Sequence, residues 1–333
     1  MDISIRENSA KKKIRRIGVL TSGGDAPGMN AAIRAVVRNC IQNNIIPIGI
    51  HRGYNGLLNS DVRPLDARAV NRITSMGGTM LYTARCDEFK TLEGQKKGAE
   101  VCQYLGIDGL ICIGGDGTLR GVEAISKLGV NAVGIPATID NDIPCTHYSI
   151  GFDTAANTAI DAIDKLADTM RSHERASVVE VMGRDAGHLA LYVGLAVGAT
   201  SILIPEIDCD CEADLVEKIR ESRYNGKRHF LVIIAEGVGG AAEIAEKIRR
   251  DTGVEARVTT LGHVQRGGSP SARDRVMASR MGHYAVEKLV EGQTDLIVCY
   301  RNSQICSVPI SEAFTMTKGL DEYMYRVAQD ISI

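Results

Sequence analysis

Three short segments of this 333-residue chain combine glycine and aspartate in the way that phosphate chemistry requires. The first, TSGGDAPGMN at 21–30, follows an apolar run and opens a helical pattern. Adjacent glycines let the backbone approach an anion, and the helix that follows directs its free N–H groups and its positive dipole end toward the same place. A plain tight turn also fits a glycine pair, but the helix start and Asp25, Pro27 and Asn30 favour a phosphate site.

The second segment is IGGDGT at 113–118, in which Asp116 is the single charged residue. A carboxylate beside phosphate is repulsive unless a cation lies between them, and Mg²⁺ binds one or two carboxylates together with phosphate oxygens. The segment predicts a Mg²⁺–phosphate site, with a solvated loop aspartate as the alternative. Neither glycine segment is a Walker A motif, because Met29 stands where that motif requires lysine. The strand-to-helix loops also lack the dinucleotide pattern GxGxxG.

The third segment, PATIDND at 136–142, places Asp140 and Asp142 two residues apart. A carboxylate near its ordinary pKa can accept a hydroxyl proton late in phosphoryl transfer, while metal and arginine charges stabilise the transferring group. An Asx-turn explains the same letters without chemistry, since Asp and Asn are common turn residues.

Basic residues recur near other strand ends, where arginine suits bidentate phosphate binding. His263 shares a glycine-bounded loop with Arg266, so we interpret it as a ligand, although a lone histidine is more often a structural hydrogen bonder. Taken together, the segments indicate phosphoryl transfer from a nucleotide to a phosphorylated alcohol. The basic candidates are Arg85, Arg175, Arg184, Arg257, His263 and Arg266.

Apolar, β-branched runs alternate with helical patterns along the chain, which predicts parallel α/β sheets that are buried on both faces. In such sheets ligands bind beyond the carboxyl ends of the strands, where the three segments lie. The helical patterns include AAIRAVVRNCIQ, TAANTAIDAIDKLADTM and RDRVMASRMGHYAVEKLVEG. The runs are IGVL from Ile17, IIPIGI from Ile45, GLICI from Gly109, AVGI from Ala132, SVVEVM from Ser177, SILIP from Ser201, FLVIIA from Phe230, VTTL from Val258 and LIVCY from Leu296.

Length and composition set the remaining bounds. A chain of 333 residues, 44% hydrophobic and 24% charged, predicts a globular protein with two cores. A formal net charge of -2 gives no electrostatic reason to expect nucleic acid or a membrane as partner. The uncharged stretch between His188 and Glu206 is short for a bilayer span and predicts a buried helix followed by a buried strand.

The cysteines and the N-terminal sequence bear on location. Nine cysteines without CxxC pairs predict reduced, mostly buried thiols in a cytoplasmic protein, and Cys209 and Cys211 lie closest together. The first 16 residues are polar and basic, so we interpret 1–16 as a solvated tail rather than a signal peptide.

Five motifs, TSGGDAPGMN, GGDGT, TIDNDIP, VEVMGR and LGHVQRGGSP, together resemble bacterial ATP-dependent 6-phosphofructokinases from about Ile17 to the last helix. The resemblance implies an α/β fold of two three-layer α/β/α, Rossmann-like domains with the active site in the cleft between them. We expect an ATP-binding domain over 17–151 plus 265–315, and a sugar-phosphate-binding domain over 152–264 plus 316–333.

The resemblance also implies residue roles, with Mg²⁺ as the cofactor on Asp116. Asp140 would accept the proton, and Arg184 would stabilise the transferring charge. Arg175 and Arg257 would reach in from a neighbouring subunit, which implies a homotetramer. The ATP contacts would be Gly24, Arg85, Cys86, Gly115, Asp116, Gly117 and Thr118. The transfer and sugar-phosphate contacts would be Thr138, Asp140, Asp142, Arg175, Met182, Gly183, Arg184, Glu236, Arg257, His263 and Arg266.

Two positions bear on the phosphoryl donor. Pyrophosphate-using relatives carry Asp where Gly117 stands, and that acid would repel the α-phosphate of ATP. They carry Lys where Ala137 stands, whereas ATP-using enzymes usually have Gly there. The alternatives are a pyrophosphate-dependent enzyme of the same fold and a non-catalytic, nucleotide-sensing subunit. The intact acids disfavour the second alternative, and an NAD kinase would share GGDGT but not TIDND.

The effector site of the family matches less well. Arg34, Arg38, Lys227 and His229 agree with it. Loss of two arginines removes charge-assisted phosphate contacts worth about 1.5–3 kcal/mol each, so we expect weak or altered regulation by ADP or phosphoenolpyruvate. Ala67, Ala167, Thr200 and Asn225 stand where the family usually has Arg, Arg, Glu and a basic residue.

Overall fold

Two β-sheets, each packed between helices, organise the chain. The computed structural model describes residues 14–208 and 215–332. The described strands are β1 (Arg16–Ser22), β2 (Ile46–Ile50), β3 (Val62–Pro64), β4 (Gly109–Gly114), β5 (Ala132–Pro136), β6 (Ala176–Val181), β7 (Ser201–Leu203), β8 (Phe230–Ala235), β9 (Ala256–Thr260), β10 (Leu296–Arg301) and β11 (Gln304–Pro309).

The α-helices alternate with these strands along most of the chain. Short 3₁₀ helices add turns at Ile73–Ser75, Glu88–Lys90 and Gly262–Arg266. The described α-helices are α1 (Met29–Gln42), α2 (Gly53–Leu58), α3 (Leu92–Tyr104), α4 (Asp116–Ser126), α5 (Phe152–His173), α6 (His188–Ala196), α7 (Lys218–Tyr224), α8 (Ala241–Thr252), α9 (Ala272–Val290), α10 (Ile310–Ala313) and α11 (Glu322–Asp330).

The larger sheet has seven described strands in the order β11-β10-β5-β4-β1-β2-β3. Its centre is parallel, whereas β3 and β11 pair antiparallel with β2 and β10 at the two edges. Alternate residues of β1 face opposite layers, because Ile17 and Val19 belong to the core that contains α1 and α9. Leu20 belongs to a second core on the other face, which includes residues of α2 and α4. The sheet is therefore the middle layer of three, as the apolar runs predict.

The smaller sheet has four described strands, all parallel, in the order β7-β8-β6-β9. Val179 of β6 faces the core shared with α5 and α6. Val178 faces a core with α7 and α8. This sheet is also covered on both faces, so the fold has two α/β/α units.

The core that contains α1 and α9 continues into α5 and α6, so one apolar layer joins both sheets. The chain passes between the sheets at the β5–α5, β9–α9 and α10–α11 connections. Buried Asp274 of α9 holds the first crossing, because its carboxylate accepts the N–H groups of Gly151 at 2.7 Å and Thr154 at 2.8 Å. The predicted division at 151/152, 264/265 and 315/316 has its boundaries in or beside these three connections, and it stays a prediction.

The nine apolar runs all form strands, and 188–206 forms the buried helix α6 and strand β7. The mixed sequences of β3 and β11 give no apolar run, so their antiparallel pairing was not predicted. Across residues 14–208 and 215–332, every helix is too short or too polar to span a bilayer. The seven cysteines in those ranges are free thiols, five of them buried, while Cys209, Cys211 and 1–13 of the tail lie outside the described residues.

Candidate active site

A cavity of about 540 Å³ opens at the carboxyl ends of β1, β4 and β5 and is lined by residues of all three predicted segments. Asp116, Asp140 and Arg184 share this cavity, as phosphoryl transfer requires. The predicted residues that line it are Gly24, Arg85, Cys86, Gly115, Asp116, Gly117, Thr118, Ala137, Thr138, Asp140, Asp142, Arg184 and Arg266.

The first glycine segment follows β1 and packs against Arg266. The Nη1 atom of Arg266 donates to the Asp25 carbonyl at 3.1 Å, and a Cβ added to Gly24 would lie 2.7 Å from the same nitrogen. A side chain at position 24 would therefore displace this guanidinium from its present position. Asn30 has a structural role, because its buried amide donates to the carbonyls of Met76 and Gly77, each at 3.1 Å.

The second glycine segment joins β4 to α4, whose first turn begins at Asp116. The Thr118 hydroxyl donates to the Ser22 carbonyl at 2.8 Å, which ties the two glycine segments together. A Cβ on Gly114 would lie 2.5 Å from the same carbonyl, so this position requires glycine. A Cβ on Gly117 would meet no atom within 4 Å. Asp116 pairs with Arg120, whose Nε lies 2.9 Å from its Oδ2.

An aromatic pair, which the sequence analysis did not identify, lies at one side of the cavity. Tyr54 and Phe89 stack with ring centroids 4.0 Å apart and an interplanar angle of 9°. The Tyr54 hydroxyl donates to the Thr118 carbonyl at 2.7 Å. The aromatic pair is therefore hydrogen-bonded to the last residue of the second glycine segment. Burial raises the pKa of Tyr54 well above its ordinary value. A Cβ on Gly121 would lie 2.5 Å from the Tyr54 ring.

Asp140 is buried and Asp142 is half-buried, and each has an unsatisfied carboxylate oxygen. The Oδ1 atoms of both have no hydrogen-bond partner. Burial raises the pKa of Asp140, and the charges of Arg266 and Arg184 act in the opposite direction. Burial also raises the pKa of Asp142, and the neighbouring Asp140 carboxylate adds to that effect. Two raised carboxyl pKa values in one cavity are a feature of functional sites.

Asn141, between these two acids, clamps the segment in place. Its backbone is left-handed, with φ at 51°, which asparagine tolerates better than most residues. Its Oδ1 accepts the N–H of Ser149 at 3.1 Å and the Ser149 hydroxyl at 3.0 Å. Because Asn141 points back into the protein, the flanking carboxylates are free to face the cavity.

Arg184 reaches the cavity from the smaller sheet. It follows β6 in a left-handed conformation, with φ at 59°. Oε1 of Glu236, which follows the adjacent strand β8, accepts the N–H groups of Gly183 and Arg184. Glu236 therefore holds the backbone at Gly183 and Arg184. Met182, Gly183 and Glu236 do not line the cavity itself.

Arg175, Arg257 and His263 lie outside this cavity. Arg175 Nε lies 2.9 Å from Glu255 Oε2, and Arg257 Nη2 lies 2.7 Å from Oε1 of the same carboxylate. Arg175 directly precedes β6, and Arg257 lies in β9, the neighbouring edge strand of the smaller sheet. Their expected entry into the active site of a neighbouring subunit stays a prediction.

The predicted effector residues are spread over two elements. Arg34 and Arg38 lie on α1, one half-buried and one exposed, while Lys227 and His229 precede β8. Burial lowers the pKa of Lys227, and its Nζ lies 3.4 Å from the Ser332 carbonyl. Thr200 is buried, and its hydroxyl oxygen accepts the Leu231 N–H.

Two glycine-lined segments, an acid suited to bind a cation and a largely enclosed pair of acids around one cleft are the arrangement of a phosphoryl-transfer enzyme. Residues 16–289 match the family model for phosphofructokinase. The chain therefore belongs to the phosphofructokinase family.

Relatives and solved structures agree with this membership. The chain is 52% identical over 320 residues to ATP-dependent 6-phosphofructokinase of Bacillus pumilus, covering 96% of this chain and 100% of the relative. It is 52% identical over 319 residues to the enzyme of the same name from Clostridium botulinum, with the same coverage. Phosphofructokinase from Saccharomyces cerevisiae superposes with a TM-score of 0.85 at 34% identity. The superposed region covers 96% of this chain and 48% of the yeast chain.

Proposed function

We propose that this chain transfers the γ-phosphate of MgATP to the 1-hydroxyl of D-fructose 6-phosphate, giving fructose 1,6-bisphosphate and ADP. The shared cavity of Asp116, Asp140 and Arg184 is the single observation that carries the proposal. Phosphoryl transfer needs positioning and charge stabilisation more than covalent chemistry, and a cavity of this kind supplies both. The names of the relatives at 52% identity give the substrate.

The nucleotide would lie along the two glycine segments. Gly24 and Gly115–Thr118 present open backbone to the phosphates, and the start of α4 directs its free N–H groups there. Arg85 and Cys86 would contact ATP from the opposite wall. Gly117 leaves room and no negative charge beside the phosphates, which supports ATP rather than pyrophosphate as the donor.

The residues of the cavity fit Mg²⁺. Asp116 would hold the ion, and the unpartnered Oδ1 atoms of Asp140 and Asp142 make the neighbourhood strongly acidic. Within the part of the chain that the structure describes, no three His, Cys, Asp or Glu side chains form a metal cluster. One protein carboxylate with phosphate oxygens is the arrangement that Mg²⁺ prefers. When bound, the ion would neutralise charge that develops on the transferring phosphate.

Asp140 would accept the proton of the sugar hydroxyl. The Thr138 hydroxyl oxygen accepts the Asp140 N–H at 3.2 Å, which fixes the backbone of the base. Burial raises the pKa of the Asp140 carboxyl group, and the positive charges of Arg266 and Arg184 oppose that rise. Arg184 would stabilise the charge on the transferring group, and Asp142 would orient the reacting groups beside it.

The sugar phosphate would lie between Arg184 and the smaller sheet. His263 and Arg266, on one 3₁₀ helix, would hold the 6-phosphate from this chain, and Glu236 would bind sugar hydroxyls. Arg175 and Arg257 would complete the site of a neighbouring subunit in a homotetramer. Their distance from this chain's own cavity supports that arrangement.

A coupled assay with ATP or pyrophosphate as donor tests the proposal. We expect turnover with ATP and fructose 6-phosphate and very little with pyrophosphate. Asp140→Ala should lose several orders of magnitude in kcat while sugar-phosphate binding survives, and Asp116→Ala should impair the use of MgATP. Asp161→Ala, at an exposed position on α5, is the matched control.

Three outcomes would change the assignment. Turnover with pyrophosphate alone would make the chain a pyrophosphate-dependent enzyme. Nucleotide binding without turnover would make it a regulatory subunit. An Asp140→Ala variant with nearly full kcat would remove Asp140 as the base.

A further inference from the structure

Lys318 is a partly buried lysine that no recognised motif includes. It lies between α10, which packs on the larger sheet, and α11, which packs on α6 of the smaller one. Its Nζ donates to the carbonyl of Thr146 at 2.9 Å. This hydrogen bond therefore joins the α10–α11 connection, the last crossing between the sheets, to the segment that follows Asp142.

Thr146 is fully buried and carries this contact further. Its hydroxyl donates to the Tyr148 carbonyl at 2.9 Å and accepts the Tyr300 N–H at 2.9 Å. The N–H of His147 donates to the Tyr300 carbonyl, also at 2.9 Å. Asn141 accepts the N–H of Ser149 and donates to the His147 carbonyl at 3.4 Å. Hydrogen bonds and the intervening backbone of 146–149 therefore connect Lys318 to the residue between the two acids.

Lys318 is partly buried, so its ammonium group is not an ordinary solvated surface charge. Burial lowers the pKa of Lys318 to about 8, while the Asp142 carboxylate and the Cys145 thiol act in the opposite direction. Another titratable neighbour is His188 of α6, whose pKa is lowered by burial and by the charge of Lys318. A desolvated ammonium is costly unless it has a compensating partner, and a methionine of similar shape would avoid that cost.

We propose that Lys318 is a positioning residue that holds the Asp140–Asp142 segment through Thr146 and places a positive charge behind Asp142. The inference rests on the proposed kinase function. Lys318 does not line the cavity, so it acts through the segment and not on a substrate. Through Lys318, the placement of Asp140 and Asp142 also depends on the α10–α11 connection between the two sheets.

Lys318→Met tests this inference, with Lys318→Arg as the conservative variant that keeps the charge and a donor. Loss of a charged hydrogen bond should lower kcat at least about tenfold. The KM values for MgATP and fructose 6-phosphate should change by less than about twofold, because neither ligand touches Lys318. Lys318→Arg should restore most of kcat. Lys127→Met, at an exposed lysine paired with Glu123, is the matched control and should behave as wild type.

Binding of MgADP, measured by calorimetry, gives a readout independent of turnover and should match wild type in Lys318→Met. Unchanged kcat in Lys318→Met would overturn the inference. So would raised KM values with kcat intact, or equal losses in the Met and Arg variants, since each indicates a purely structural role. If Lys318→Met fails to fold, Lys318→Gln is judged by the same criteria. An inactive wild type would refute the proposed function instead, and the two failures are thus distinguishable.

Discussion

Glu236 and Arg184 are joined by a hydrogen bond between the Glu236 Oε1 atom and the Arg184 N–H, at 2.5 Å. The two residues follow adjacent parallel strands, β8 and β6, and the bond stabilises Arg184 in its left-handed conformation. Gly183 also donates its N–H to Oε1, at 3.2 Å. A residue expected to bind sugar hydroxyls thus also holds the arginine that we expect to face the transferring phosphate.

Glu236→Ala and Glu236→Gln should separate these two roles. Alanine removes the acceptor for both N–H groups and should lower kcat at least about tenfold, because bonds to a charged group contribute about 1.5–3 kcal/mol. It should also raise the KM for fructose 6-phosphate. Glutamine keeps an acceptor oxygen for the loop and should raise that KM while leaving kcat close to wild type. Steady-state kinetics in fructose 6-phosphate measures both values.

Equal losses of kcat in the two variants would contradict this division, since the loop would then depend on the charge of Glu236 alone. Glu243→Gln, at the exposed first turn of α8, is the matched control. It should leave both kinetic parameters unchanged.

Asp140→Asn should stabilise the protein at neutral pH. The pKa of Asp140 is higher in the folded state than its ordinary value of 3.8. At pH values between the ordinary and the raised pKa, the folded chain therefore binds more protons than the unfolded chain. The free energy of unfolding therefore falls as pH rises through that window. Asparagine removes the buried charge, so its Tm should exceed that of wild type at pH 8 and approach it near pH 4.

Thermal unfolding at several pH values measures this difference. Asp161→Asn, at an exposed site, should show no such pH dependence. An Asp140→Asn variant less stable than wild type at pH 8 would mean that Arg266 and Arg184 compensate fully for burial of the carboxylate.

Most of the fold follows from the sequence because burial on both faces demands continuous apolar strands. Ile17–Leu20 of β1 and Phe230–Ala235 of β8 are of this kind, and both form as predicted. β11 was missed because Gln304–Pro309 mixes polar and apolar residues, as an antiparallel edge strand can. Its position depends on pairing with β10, which no local pattern encodes.

Many residues that line the cavity were predicted, because they lie in a glycine- or aspartate-rich segment after a strand, as Gly115 and Asp140 do. The supporting contacts were not. Tyr54 meets Thr118 across 64 positions and Lys318 meets Thr146 across 172, so only the folded chain brings these pairs together. The double role of Glu236 was missed for the same reason.

Regulation by ADP or phosphoenolpyruvate should be weak. Ala67 is exposed and Ala167 half-buried, and neither can donate to a phosphate. Fructose 6-phosphate saturation curves with and without each effector should give half-saturation points within about twofold of one another. Restoring the guanidinium groups in Ala67→Arg plus Ala167→Arg should increase the response, since each charged hydrogen bond contributes about 1.5–3 kcal/mol. A strongly effector-dependent half-saturation point in the wild type would refute the prediction.

Gly117→Asp should abolish the use of ATP without harming the fold. A Cβ at Gly117 meets no atom within 4 Å, and the residue lies in the first turn of α4, where an added acid interacts favourably with the helix dipole. We therefore expect a Tm equal to or above that of wild type, together with a large rise in the KM for MgATP from repulsion of the phosphates. Gly117→Ala adds the same Cβ without charge and should keep most of the ATP-dependent activity. Equal losses of ATP-dependent activity in both variants would show that side-chain volume, and not charge, excludes ATP. In that case a phosphate of the nucleotide would lie directly against the backbone of Gly117.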